Sequence, residues 1–195
     1  MQTFHDLVPY RSIKLLQYWI DELDVKVVLS LPRKTKLGDF KVRHNRFIVS
    51  INNNLNPYSF LITLTHELAH AFVYKEYKKK VTPHGKSWQK TFKSLMLNFL
   101  NPDYFPEDIL RVLSRHMLSP KASTYSDLEL IKVLKKHDEI KSFTISDISE
   151  GEIFNTSNGR AFVKGQLLRK RYKCFECKTN KVYMFHPYAE VIRRQ

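Results

Sequence analysis

Residues 66–70 read His-Glu-Leu-Ala-His. On an α-helix, positions i and i+4 lie on one face a turn apart, so His66 and His70 point the same way. Two imidazoles so placed can share one Zn²⁺ at ~2.0–2.1 Å. Glu67 follows the first of them, where its carboxylate reaches a water activated by the metal without ligating the metal itself. A metal ion lowers the pKa of such a water toward ~7, and a carboxylate then takes its proton. This is the zincin pattern, whose chemistry is hydrolysis of a peptide bond.

A catalytic zinc takes three protein ligands and keeps a fourth position open. The candidate third ligand is His84, in Pro83-His84-Gly85-Lys86-Ser87-Trp88. The other five histidines, His5, His44, His116, His137 and His186, fall in loops or on expected surfaces and read as solvated side chains. The bland alternatives for the motif are a chance match and a satisfied pair of core histidines.

The elements that must position these residues argue against both alternatives. The segment 56–79 reads as one helix, with Asn56 as N-cap and Pro57 at the first helical position. Phe60, Leu61, Ile62, Leu64, Leu68, Ala69, Phe72 and Val73 make it apolar on nearly all sides, so it is expected to be buried. Polar groups inside a buried helix are costly without a partner, and a metal is one. Lys78-Lys79-Lys80 closes the helix favourably for its dipole. Val81-Thr82-Pro83 breaks it, and Gly85 is expected to bend the backbone beside His84. A second helix starts near Lys86, with Trp88, Phe92, Leu95, Met96 and Phe99 as a core-facing stripe that reads as packing alone.

The combination His66-Glu67-x-x-His70 with His84-Gly85-x-x-Trp88 resembles the SprT-like metalloproteases, which include the Spartan-type DNA–protein crosslink proteases. Upstream, Leu37-Gly38-Asp39-Phe40 followed by Arg46–Asn52 is similar to the hairpin that precedes that family's active-site helix. The resemblance covers roughly residues 10–100. It implies a zinc-dependent protease with Glu67 as general base and His66, His70 and His84 as ligands. It also implies cleavage of proteins bound or crosslinked to DNA. The C-terminus departs from the family: many members end in a zinc ribbon of two Cys-x-x-Cys pairs, and this chain has only Cys174 and Cys177. A structural zinc wants four ligands. Cys174 and Cys177 supply two and His186 a possible third, so two reduced thiols in a small β unit is the plainer reading.

The net charge is +14 on 195 residues. Between Arg160 and Gln195, ten Lys/Arg stand against Glu176 and Glu190. Arg160, Lys164, Arg169, Lys170, Arg171 and Lys173 are interleaved with Phe162, Tyr172 and Phe175, a pattern that suits nucleic-acid phosphates and bases. DNA is the expected partner, RNA an open one. This basic unit is expected to carry most of the affinity, with Lys75, Lys78, Lys79 and Lys80 as the alternative. Two cysteines and no leader-like start point to a reducing, cytoplasmic setting, and no run of 18 apolar residues spans a membrane. The sequence sets no oligomeric state.

The expected fold class is α+β: a zincin-like core of helices with a short, mostly antiparallel sheet over residues 1–142, then a small antiparallel β unit over 143–195. The first part reads as a helix at Ser12–Leu23, a strand at Val25–Leu31 and strands at Gly38–Arg43 and Arg46–Ile51 joined through His44-Asn45. The strand Arg46–Ile51 is a candidate edge for holding an extended substrate. Helices are expected at Pro106–Leu118 and Ser126–Lys136, with no chemistry in them. The last part reads as strands at Glu152–Asn155, Arg160–Val163, Leu167–Lys173 and Lys181–Phe185. The expected function is a zinc metalloprotease acting on nucleic-acid-associated protein substrates. Its competitors are a nucleic-acid-binding module with a structural or inactive metal core, and a metal-dependent amidase.

Overall fold

The computed structural model describes residues 2–33, 35–78, 80–123 and 126–193, so Lys79 and Arg194 lie outside the described residues. The chain forms two compact units, Met1–Asp138 and Glu139–Gln195. The dividing point falls four residues before the expected one.

Unit 1 mixes helices with a three-stranded sheet. Helix α1 (Ile13–Leu23) buries Leu16, Trp19, Ile20 and Leu23 and ends on Asp24 in the left-handed region. The strands are β1 (Val25–Ser30), β2 (Gly38–Arg43) and β3 (Arg46–Asn52). The sheet order is β1-β3-β2, with β1 parallel and β2 antiparallel to β3. The sheet is therefore mixed rather than mostly antiparallel. The strand read as an edge, Arg46–Ile51, is its centre: it carries Val49 and Ile51, both fully buried, and both its backbone edges are paired. The two edge strands are β1 and β2, and β2 is the one whose residues line the metal cleft. His44 and Asn45 both take positive φ, 46° and 61°, as a two-residue turn matched to the strand twist requires.

Helix α2 (Pro57–Tyr77) runs through the core, and Phe60, Leu61, Leu64, Leu68 and Ala69 are fully buried. Asn56 caps it by accepting from Ser59 N at 2.9 Å, and its own amide donates to Leu134 O at 2.9 Å. Helix α3 (Lys86–Leu97) follows, then α4 (Glu107–Leu118) and α5 (Leu128–Lys135). His116 is not a solvated side chain. It is 6% exposed, and its Nδ1 lies 2.8 Å from Asp127 Oδ2 while Asp127 caps α5. His116 lies on the same face of α4 as Ile109, Val112 and Leu113, and the salt-bridging carboxylate lets a ring be buried there.

Unit 2 is a five-stranded sheet made of β4 (Ile153–Asn155), β5 (Ala161–Leu168), β6 (Arg171–Glu176), β7 (Val182–Phe185) and β8 (Ile192–Arg193). Its order is β7-β6-β5-β4-β8, antiparallel throughout. The stretch Leu167–Lys173, read as one strand, is a hairpin: Leu168 pairs with Arg171 across a turn at Arg169 and Lys170. Arg169 takes φ 55° there, a position usually given to Gly or Asn, so no turn signal stood in the sequence. Among the described residues no helix is long and apolar enough to cross a membrane.

Candidate metal centre

The long buried helix α2 carries His66 and His70 on one face, and the turn before α3 brings His84 back to them. The Nε2 atoms lie 3.2 Å apart for His66–His84, 3.2 Å for His66–His70 and 2.9 Å for His70–His84. Among the described residues they are the one group of three metal-ligating side chains that converge. A neutral imidazole nitrogen is either a donor or an acceptor, so three Nε2 atoms meeting at a point cannot satisfy one another. A cation satisfies all three lone pairs. Tetrahedral ligands at ~2.0–2.1 Å stand about 3.3 Å apart, within a few tenths of an ångström of the distances here. The residues present fit a zinc-like ion.

The electrostatics favour the ligand state. Burial, then repulsion from His70 and His84, drops the His66 pKa to about 2. Burial, then His84, drops His70 to about 4, and burial lowers His84. All three stay neutral, with free lone pairs, near pH 7.

His84 itself takes the positive φ, 58°. Gly85 has φ −71° and ψ −173°, an extended conformation open to any residue. The bend expected at Gly85 is thus at the ligand. Gly85 answers a different need, because a Cβ there would stand 2.9 Å from Thr82 O.

Trp88 does more than pack. Its ring lies 4.6 Å from His66, 4.8 Å from His84 and 5.5 Å from His70, nearly parallel to the last at 26°. Its Nε1 donates to His66 O at 3.4 Å, and Phe92 stacks behind it at 5.0 Å. The residue fixes three ring orientations at once, which a helical stripe of apolar residues does not reveal.

Glu67 is 7% exposed and turned toward β2. A Cβ at Gly38 would stand 2.6 Å from its Oε1 and 2.8 Å from Thr63 Cγ2, so the strand backbone lies directly on the carboxylate. The Phe40 backbone N–H lies near the carboxylate and favours its ionised form. Burial first, then the charge of Asp39, pushes the Glu67 pKa up to about 8. Asp39 behaves oppositely: burial raises it, but ion pairs with Lys36 at 2.8 Å and Lys41 at 2.9 Å outweigh that and hold it low. Two neighbouring carboxyls are thereby pushed apart, one ionised and one ready to hold a proton near neutral pH.

These groups open into a cleft of about 580 Å³. Leu37–Phe40 form one wall, Val81–His84 another, and Ala122 and Ser123, from the loop after α4, reach its rim. Only that loop's place in the fold, not its composition, brings it to the cleft.

The cations named in unit 2 are mostly engaged within it. Arg160 pairs with Glu176 at 2.7 Å and lies over the Phe162 and Tyr183 rings. Lys164 is not on the surface: it is 6% exposed, with Nζ on Ile148 O and 4.0 Å from the Tyr172 ring. It alternates inward with Phe162 along β5, so its charge is satisfied inside. Lys173 sits over Phe175, and Arg171 donates to Met184 O at 3.4 Å. Arg169 and Lys170 are exposed at the hairpin turn. Cys174 is buried in the core of unit 2 beside Phe154 and Phe162, whereas Cys177 is exposed. The two thiols form no ligand group of three with any other described residue.

Residues 16–108 match the family model described as SprT-like family. No curated protein and no solved structure matches the chain. The matched stretch runs from within α1 to the first turn of α4 and holds the sheet, the three histidines and Glu67. Over that stretch the chain is similar to the SprT-like family, which points to a metalloprotease-type domain.

Proposed function

We propose that this chain is a zincin-type, zinc-dependent endopeptidase acting on proteins associated with nucleic acid. The observation that carries the reading is the convergence of three imidazole nitrogens beside the buried Glu67 carboxyl. His66, His70 and His84 would hold the ion. Bound Zn²⁺ supplies a Lewis acid that lowers the pKa of a water and polarises a carbonyl. Glu67 takes the water's proton at a carboxylate oxygen and returns it to the leaving amine. Gly38 lets the β2 backbone lie against that carboxylate. The open edge of β2, rather than β3, holds an extended substrate by strand addition.

The nucleic-acid half of the reading rests on charge: +14 overall, with Arg169, Lys170 and Arg171 exposed on unit 2. The competing reading is a nucleic-acid-binding protein with a structural metal. A structural ion needs no base, and a buried carboxyl held ready for a proton is a cost that such a protein has no use for.

The test is cleavage of a DNA-bound protein by wild type and Glu67→Gln at equal zinc content, with and without DNA. Wild type cleaves, and the variant is slower by at least ~10². Equal rates remove Glu67 from the mechanism. No cleavage by either under any DNA condition favours the binding module.

A further inference from the structure

No carboxylate occurs between Glu76 and Asp103, while six lysines do: 78, 79, 80, 86, 90 and 93. Of the described members of this run, Lys86 and Lys90 line a groove between the C-terminal part of α2 and α3, while Lys78 lines the metal cleft and Lys93 donates to Leu118 O. Phe72 and Leu95 lie among its lining residues, with Lys75, Lys86 and Lys90 alongside. Hydroxyls of Ser87, Thr91 and Ser94 line it as well, and Glu76 is its one acidic residue. The groove is separate from the metal cleft but borders it, because Tyr74 and Lys78 of α2 line the cleft while Lys75 and Tyr77 line the groove.

A solvated helix face normally mixes both signs, with acids placed four residues from bases. Helix α3 has none. Lys86 and Lys90 stand at i and i+4, a like-charge pair that costs ~0.2–0.5 kcal/mol. Lys86 also occupies the first turn of α3, where a cation opposes the helix dipole. No ion pair among the described residues involves either side chain. Among the described residues, Glu76 is the one acid lining the groove and Glu22 pairs with Lys75, which leaves Lys86 and Lys90 for a row of anions outside the chain. Point-charge ammoniums and small hydroxyls, with no arginine fork, suit backbone phosphates rather than base edges.

We propose that this lysine groove binds the phosphate backbone of a nucleic acid without sequence preference, beside the metal cleft. The proposal deepens the nucleic-acid part of the reading above and rests on it. It moves the principal contact from unit 2 to unit 1, and so sets the bound strand alongside the site of cleavage.

The experiment is fluorescence anisotropy of full-length protein with a labelled oligonucleotide, single- and double-stranded, across a salt series. The variants are Lys86→Gln/Lys90→Gln and Lys86→Arg/Lys90→Arg, with zinc content confirmed for each. Losing two phosphate contacts on duplex lowers the slope of log K against log salt by about 1.8, or about 60-fold in affinity at 0.1 M salt. The Gln pair should show that loss, and the Arg pair should restore the slope. Unchanged oligonucleotide affinity in the Gln pair overturns the proposal, as does absence of oligonucleotide binding by wild type. Phosphatidylserine vesicles and a glutamate-rich peptide serve as competing polyanions. Tighter groove-dependent binding of either also overturns it, in favour of a membrane or a protein partner. None of these outcomes touches the Glu67→Gln cleavage result, so failure here and failure of the protease reading are distinguishable.

Discussion

Glu67→Gln separates the chemistry of that carboxyl from its place in the fold, even without a substrate. Gln keeps the shape and never ionises. In the metal-free protein the Glu67 pKa is raised from 4.5 to about 8, by burial first and Asp39 second. A carboxyl whose folded pKa lies above its unfolded one holds its proton more tightly when folded. Its stabilising contribution is full below about pH 4.5 and is lost as pH rises through about 8. At ~1.4 kcal/mol per pKa unit, the loss is about 3 kcal/mol by pH 7 and about 5 kcal/mol by pH 9. The Gln variant escapes it. His66 and His70 act in the opposite sense. Their depressed values, about 2 and about 4, cost stability as pH falls below 6.5. That cost is common to both proteins and cancels in the comparison.

The assay is urea unfolding in the presence of a chelator at pH 5, 7 and 9. Fluorescence reports unit 1 alone, because both tryptophans, Trp19 and Trp88, lie in it. Wild type and variant should agree within about 1 kcal/mol at pH 5, with the variant ahead by about 3 kcal/mol at pH 7 and about 5 at pH 9. Saturating zinc should shrink the difference, since a nearby dication favours the ionised carboxylate. Parallel curves from pH 5 to 9 would refute the claim that this carboxyl is buried against the strand and raised in pKa.

Two substitutions probe the walls of the site. Gly38→Ala places a methyl 2.6 Å from Glu67 Oε1. Peptide cleavage should fall at least tenfold while zinc stoichiometry is kept and stability drops by ~1–3 kcal/mol; unimpaired cleavage would show that the carboxylate does not need this wall. Trp88→Ala removes the ring that touches all three imidazoles, so unit 1 should lose ~3–5 kcal/mol. Zinc affinity, read by chelator competition, should weaken ~10–100-fold.

The parts of this chain legible in sequence are those fixed by local chemistry. Asn56-Pro57 announces the start of α2, His44-Asn45 the hairpin turn, and i, i+4 spacing the shared face of His66 and His70. What was not legible depends on where elements meet. That β3 is central follows from its pairing with β1 on one edge and β2 on the other, and strand period alone does not order strands. Trp88 reads like Phe92 until its neighbours are known. The turn at Arg169-Lys170 uses a residue type that seldom takes positive φ, so its signal is absent rather than overlooked. Gly38 shows its purpose only when Glu67 is placed against it.

His84 concentrates the energetics of the centre at one residue. A non-glycine residue at φ 58° costs on the order of 1–2 kcal/mol. Its ring is also lowered in pKa by burial and aimed at two other nitrogens with no proton to share. Neither cost helps the metal-free fold, and both are repaid when an ion joins the three rings. His84→Gly isolates the balance, since glycine takes this backbone conformation freely and deletes one ligand. With a chelator present, the variant should equal wild type or exceed it by about 1 kcal/mol. With zinc at about 100 times the wild-type Kd, wild type gains about 2.7 kcal/mol and the order inverts. Unfolding curves with and without zinc read both signs. A variant less stable than wild type under both conditions by the same amount would mean that His84 serves the fold, and that the convergence of three imidazoles is not a metal site.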